Sequence, residues 1–159
     1  MSVRLGSSVV SDDIVSKRLG YFQRWVVASP EYLTRTGLPR HPRDLLEHPC
    51  LRFDYHTGHH DWTFLGDEDV IRVNVQGRLQ SNNADILREA ALAGGGMTLL
   101  ADWLVREDVS AGRLTRVLEQ YEVNPGSAST CINALYLPNH RGSSRISVFI
   151  AFLQEILAP

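Results

Sequence analysis

The order of segments predicts an α/β fold, and three observations carry that prediction. Residues 79–105, LQSNNADILREAALAGGGMTLLADWLV, read as a strand end, a polar cap, an amphipathic helix, a glycine stop, a buried strand and the start of a second helix. Residues 22–28, FQRWVVA, are bulky and apolar, as a strand requires. Near the end of the chain, Ile146, Phe149, Ile150, Leu153, Ile156 and Leu157 recur at helical spacing behind Ser143 or Ser144, either of which suits a helix cap. Strands alternating with helices are the pattern of an α/β domain.

In chain order, Val3 and Leu5 alternate with polar neighbours as a first strand, and 14–19 is a second extended segment that leads to a turn at Gly20. After the strand at 22–28, two short helices each begin at a proline: 31–36 behind Pro30 and 42–47 from Pro42. Cys50 to Asp54 is a strand, 56–61 a polar hairpin loop, Trp62 and Phe64 lie on another strand, and 70–75 is its return after an acidic turn. Val73 and Val75 alternate with polar residues up to Gly77, and the pattern breaks at Ser81, Asn82 and Asn83. Asn82 or Asn83 can cap the helix that follows, with Asp85 suited to its positive end and Leu87, Ala90, Ala91 and Gly94 on one stripe. Gly94, Gly95 and Gly96 end it, and 97–101 is typical of a covered parallel strand. Asp102 can cap a helix through 105–109, 114–118 is a strand, 122–129 is loop-like, and 130–137 is a strand before the last helix.

A chain of 159 residues with 43% hydrophobic residues is long enough to bury a core as one domain or two small lobes. The formal net charge of −2, with Lys17 as the single lysine, excludes a nucleic-acid surface spread over the whole chain. Cys50 and Cys131 lie far apart in apolar runs, which suggests two buried free thiols in a reducing compartment and neither a zinc site nor a disulfide framework. The first residues carry no basic segment followed by an apolar core and no run approaches membrane-spanning length, so a cytoplasmic location and no membrane partner are expected.

The start of the helix after Ser81, Asn82 and Asn83 is the richest candidate site. Unpaired amides, the helix dipole and three small polar side chains converge at the carboxyl end of a strand, which suits a carboxylate or similar anion and equally suits simple capping. Against enzymatic function, there is no Gly-x-Ser-x-Gly elbow, and the triple glycine follows a helix and precedes a strand, the reverse of a phosphate loop. His56, His59, His60 and Asp61 form the one catalytic-looking cluster, but adjacent histidines point apart and a metal needs fixed geometry, so no metal, cofactor or catalytic residue is expected.

Several segments, taken in order, resemble the effector-binding domain of LysR-type transcriptional regulators. Val3-Arg4-Leu5-Gly6 is similar to the end of that family's D-L-A-I-R-x-G strand and Lys17-Arg18-Leu19-Gly20 to its A-R-x-L-G crossover. Val26 to Leu33, VVASPEYL, matches A-S-P-x-Y-L; Pro42-Arg43-Asp44-Leu45 matches P-x-D-L; His48-Pro49-Cys50-Leu51 matches H-x-C-L. Residues 83–100, Gly112-Arg113-Leu114 and the helix at 144–153 fit in register, and Leu99-Leu100-Ala101 departs from the family's L-L-P.

The resemblance implies a type II periplasmic-binding-protein-like fold in an N-terminally truncated member, with one complete lobe plus part of a second. Residues 23–121 would form the second lobe whole, and 1–22 with 122–159 the partial first lobe and its crossover strands; no DNA-binding domain lies in this chain. It further implies a small effector between the lobes, for which the helix start suggests an anion, with candidate contacts at Ser81, Asn82 and Asn83, at Phe53 and Asp54, and at Ser7 and Ser8. Homodimers and DNA contact through a helix-turn-helix absent from this chain are also implied. An incomplete first lobe is expected to leave apolar surface on Leu135, Tyr136 and the final helix. Two alternatives stand beside this reading: a fragment of a solute-binding protein of the same fold, and a metal-dependent enzyme using His56, His59 and His60.

Overall fold

Apolar residues at consecutive positions of a strand demand cover on both faces, and the structure supplies it. The computed structural model describes residues 1–6, 13–55, 61–67, 69–140 and 142–157. In chain order these form β1 (Ser2–Leu5), β2 (Val15–Tyr21), β3 (Arg24–Ala28), α1 (Pro30–Thr36), a 3-10 helix (Pro42–Glu47), β4 (Cys50–Phe53), β5 (Asp61–Leu65), β6 (Val70–Asn74), β7 (Gln80–Ser81), α2 (Ala84–Leu92), β8 (Met97–Ala101), α3 (Asp102–Ser110), β9 (Thr115–Val117), β10 (Glu122–Pro125), β11 (Cys131–Tyr136), a 3-10 turn (Pro138–His140) and α4 (Ser144–Ile156). They divide into two units, Gln23–Ser127 and Met1–Phe22 with Ala128–Pro159.

In Gln23–Ser127 a five-stranded sheet runs in the order β7-β4-β8-β3-β9. Neighbouring residues alternate between two hydrophobic clusters: Val26, Cys50 and Leu99 belong to one, Val27, Leu51 and Leu100 to the other. Leu87 and Ala91 of α2 and Val105 of α3 cover the second face. Tyr32 of α1, Leu45 of the first 3-10 helix and Trp62, Phe64 and Val73 of the antiparallel sheet β10-β5-β6 cover the first. Each fully buried Leu contributes about 1.5–3 kcal/mol from area removed from water. Ser29 caps α1 by accepting from the Tyr32 amide at 3.2 Å, and Gly37 ends it at φ 93°.

Met1–Phe22 and Ala128–Pro159 build the three-stranded antiparallel sheet β1-β11-β2, with α4 against β2. Gln154 of α4 donates to the Arg18 carbonyl at 3.0 Å.

Several expectations are corrected. Gly20 lies inside β2 and is no turn; a Cβ there would stand 3.1 Å from the Leu157 carbonyl oxygen, a tight contact that the end of α4 would have to relieve by a few tenths of an ångström. β8 is parallel to β4 but antiparallel to β3, because β3 and β8 meet through a long excursion that local periodicity does not record. The loop expected over 122–129 contains β10, an edge strand of its sheet, where Pro125 is tolerated. Asp102 does not cap α3: Ala101 occupies the cap without a side-chain bond, while the buried Asp102 carboxylate accepts from the Gln23 amide at 3.0 Å and pairs with Arg106. Cys131 is partly exposed, Leu135 is buried, and of the stripe expected on α4 only Ile150 is buried.

Ala101, which stands where the family pattern carries proline, has φ −61°, the value a proline ring imposes. Asp102 N donates to Gln23 O, so the adjacent Arg24–Ala101 pair is of the non-hydrogen-bonded kind, and the Ala101 amide does not face β3. The alternation that sends the Met97 amide to the Pro49 carbonyl turns the Ala101 amide toward β4, so Ala101→Pro is expected to stabilise the chain by about 0.4–1 kcal/mol through the unfolded state if that amide makes no bond there. Urea unfolding checks this; a lower midpoint would show that the amide is needed.

Candidate functional site

β4 and β7 run parallel, and their register sets Phe53 beside Ser81. Asp54 N donates to Ser81 O at 2.9 Å, and Arg52 N to Leu79 O at 3.0 Å, so both strand ends are tied together just before the chain turns into α2. Ser81 Oγ accepts from Asn83 N at 3.1 Å, and Asn83 Oδ1 accepts from Asp85 N at 2.9 Å. Asn83, of the two asparagines, is the cap. Asn82 and Asn83 are exposed, while Ser81, Phe53 and Asp54 are partly buried.

Five of the seven expected contacts are thus gathered at the carboxyl ends of two parallel strands, the place where open α/β sheets hold ligands. Ser7 and Ser8 lie outside the described residues. The amides of Ala84 and Ile86 have no acceptor within their own helix and point the same way as the dipole. Asp54 and Asp85 oppose that field, so the corner is a polar seat of mixed charge.

Beyond Phe53 the chain carries a polar group that the sequence did not single out. The rings of Phe53 and Tyr55 lie 4.7 Å apart at 46°. The Tyr55 hydroxyl bonds Arg24, whose Nη1 donates to Asn124 Oδ1 at 2.6 Å; Asn124 Nδ2 in turn donates to Glu122 Oε1 at 3.2 Å. Burial around its hydroxyl pushes the Tyr55 pKa up, and the Arg24 charge works against that shift. Burial likewise lowers the Arg24 pKa. Only the closeness of Tyr55 to Phe53 in the chain hints at this group, because Arg24 and Asn124 are a hundred residues apart.

Burial pushes the Cys50 thiol up to about 12, so it carries no thiolate near neutral pH. No group of three or more His, Cys, Asp or Glu is placed to hold a metal among the described residues. His56, His59 and His60 lie outside them; Asp61, the carboxylate of that cluster, accepts from Asn74 Nδ2 at 2.7 Å. No described helix is long and apolar enough to cross a membrane.

A mixed sheet covered on both faces, with a polar corner where β4 and β7 end, is consistent with a periplasmic-binding-protein-like fold. The family model described as LysR substrate binding domain matches residues 2–158, and the chain belongs to that family. The HTH-type transcriptional regulator DmlR of Escherichia coli is 28% identical over 99% of this chain and 50% of its own length. The Escherichia coli regulator YhjC, described as an uncharacterized HTH-type transcriptional regulator, is 35% identical over 98% of this chain and 51% of its own. Among solved structures, the regulatory domain of CrgA, a LysR-type transcriptional regulator from Neisseria meningitidis, superposes with a TM-score of 0.79 at 28% identity, covering 98% of this chain and 74% of that domain. The chain spans about half the length of the curated relatives it matches.

Proposed function

We propose that this chain is the effector-sensing part of a LysR-type transcriptional regulator and that it works by binding, without catalysis. A small anionic effector would sit at the corner formed by Phe53, Asp54, Ser81, Asn82 and Asn83, and its unequal affinity for two conformations of the regulator would alter transcription. The observation that carries this reading is the parallel pairing of Phe53 with Ser81 directly ahead of a capped helix start. The family match and relatives named as transcriptional regulators support binding over an enzyme or a solute-delivery role. DNA contact would fall to a helix-turn-helix segment of the intact regulator, which would act in the cytoplasm as a homodimer.

Asn83→Asp separates binding from capping, since aspartate caps a helix as well as asparagine does but repels an anion. In a thermal-shift assay with a panel of small carboxylates, the variant is expected to melt with the unmodified chain in buffer and to lose the ligand-induced shift. Asn82→Ala with Asn83→Ala would cost about 1 kcal/mol of capping as well. In the intact regulator, an unchanged transcriptional response to effector after the double alanine replacement would remove the assignment.

A further inference from the structure

Among the described residues, two buried side-chain atoms have no hydrogen-bond partner, Arg52 Nε and Thr63 Oγ1. The Arg52 guanidinium still reaches the Gly77 carbonyl at 3.1 Å through Nη2, but the Thr63 hydroxyl is the one polar group of its side chain and is left wholly unpaired. Thr63 is only 9% exposed. Its neighbours Trp62 and Phe64 turn into the core, so Thr63 faces the other side of its sheet. There it stands opposite Asn124 in the β10–β5 register, and residues so paired share a face about 5 Å apart. A buried hydroxyl without a partner weakens a fold, and its presence asks for a reason.

The reason lies on the far side of Asn124. Its amide is oriented by Glu122, which accepts from Nδ2 at 3.2 Å, so that Oδ1 accepts from Arg24 Nη1 at 2.6 Å. Tyr55 bonds the same guanidinium through its hydroxyl. β3 is antiparallel to β8 and β4 is parallel to it, so Arg24, opposite Ala101, stands on the rim where β4 and β7 end. Two strand spacings, about 10 Å, separate β3 from β4 and its Phe53. Tyr55 closes that gap, because its exposed ring lies 4.7 Å from the ring of Phe53.

We infer that Arg24 and Thr63, on either side of Asn124, receive the carboxylate of the effector, and that the effector is an organic acid whose apolar body lies against Phe53 and Tyr55. A guanidinium presents its donors in a planar fork that matches a carboxylate, and a hydroxyl turns to donate to the second oxygen. Asp54 and Asp85 make the start of α2 the poorer end for a charge, so Ser81, Asn82 and Asn83 would hold the effector's uncharged polar end. The inference rests on the corner proposed above as the effector seat and adds which residues read the acid. A guanidinium that served only to pin β3 to β10 would need Asn124 alone and would leave the Thr63 hydroxyl unexplained.

The test titrates the chain calorimetrically with 3-phenylpropionate, with its uncharged amide and with inorganic phosphate. The carboxylate is expected to bind at least about tenfold more tightly than the amide or phosphate. Arg24→Gln is expected to bring carboxylate and amide to equal affinity. Thr63→Val keeps the shape and removes the unpaired hydroxyl, so it is expected to raise Tm and yet weaken carboxylate binding. A merely structural threonine would give the first effect without the second, and this variant decides the matter if Arg24→Gln does not fold. The inference is overturned if the unmodified chain binds carboxylate and amide alike, if phosphate binds as tightly, or if Thr63→Val leaves carboxylate affinity unchanged. Carboxylate binding lost in Asn83→Asp but intact in Arg24→Gln overturns this inference and leaves the corner standing, whereas no response to any probe removes both.

Discussion

Gly77→Ala is expected to destabilise Gln23–Ser127 severely. A Cβ at Gly77 would stand 1.9 Å from the Cys50 carbonyl oxygen, 2.8 Å from its carbon and 3.0 Å from its nitrogen, and all three are backbone. β4 is held on both sides of this contact. Cys50 N donates to Gln76 O at 2.7 Å, and Met97 N to Pro49 O at 3.0 Å, so moving Cys50 would pull β4 from its neighbours. Overpacking against a fixed backbone places the cost at about 3 kcal/mol or more, a fall in Tm of over about 10 °C. Gly96→Ala meets the same β4 approach, 2.3 Å from the Pro49 oxygen, at a φ of 151°. Gly142→Ala is the control, since its Cβ would meet nothing within 4 Å. Circular dichroism melts of the three variants decide the point: equal Tm values for Gly77→Ala and Gly142→Ala would show that β4 has slack.

The second large effect concerns Asp108, a fully buried carboxylate in α3. Its Oδ2 accepts from Arg88 Nε at 2.6 Å and its Oδ1 from Arg113 Nε at 2.8 Å, so one carboxylate ties α2 to the turn after α3. Asp108→Asn keeps the volume but removes the charge and turns an amide donor toward two guanidiniums. The expected loss is about 2–4 kcal/mol, below that of a wholly buried pair because Arg88 and Arg113 are partly exposed and regain water. The hydrogen bond from Arg88 is the first cause that holds the Asp108 carboxyl below its ordinary value; burial opposes it and Arg113 adds to it.

The pH dependence follows from the sign of that shift. A carboxyl whose folded pKa is depressed contributes stability that is fully present above the unfolded value, near 3.8, and lost as pH falls through the lower folded value. Urea midpoints of the unmodified chain and Asp108→Asn should therefore differ most at neutral pH and draw together below pH 3.8. A gap that stays constant into acid would mean that Asp108 stabilises by shape and not by charge.

What could be read from the chain follows the range of the forces involved. The start of α2 was legible because capping acts within three residues, and the only open point, Asn82 or Asn83, was settled by which side chain reaches Asp85 N. The two prolines that open α1 and the following 3-10 helix were legible for the same reason. β10 was not, since Asn124 and Pro125 look like a loop until the partner strand β5 is known. Asp102 looked like a cap because its competing donor, the Gln23 amide, is far away in sequence.

The site divides in the same way. Ser81, Asn82 and Asn83 announced themselves as a break in periodicity, but their place beside Phe53 and Asp54 depends on parallel pairing across 28 residues, for which no local signal exists. Arg24, Tyr55 and Asn124 were invisible as a group because each is ordinary in its own neighbourhood. The sequence by itself determined most of the element types, the cap of α2 to within Asn82 or Asn83, the α/β class and the family. Only the tertiary structure decided strand direction, which glycines must remain bare, and which apolar stripe of α4 stays uncovered. Propensity and capping are energies of a few neighbouring residues, whereas direction, close approach and cover are set by partners that the chain meets only after it has folded.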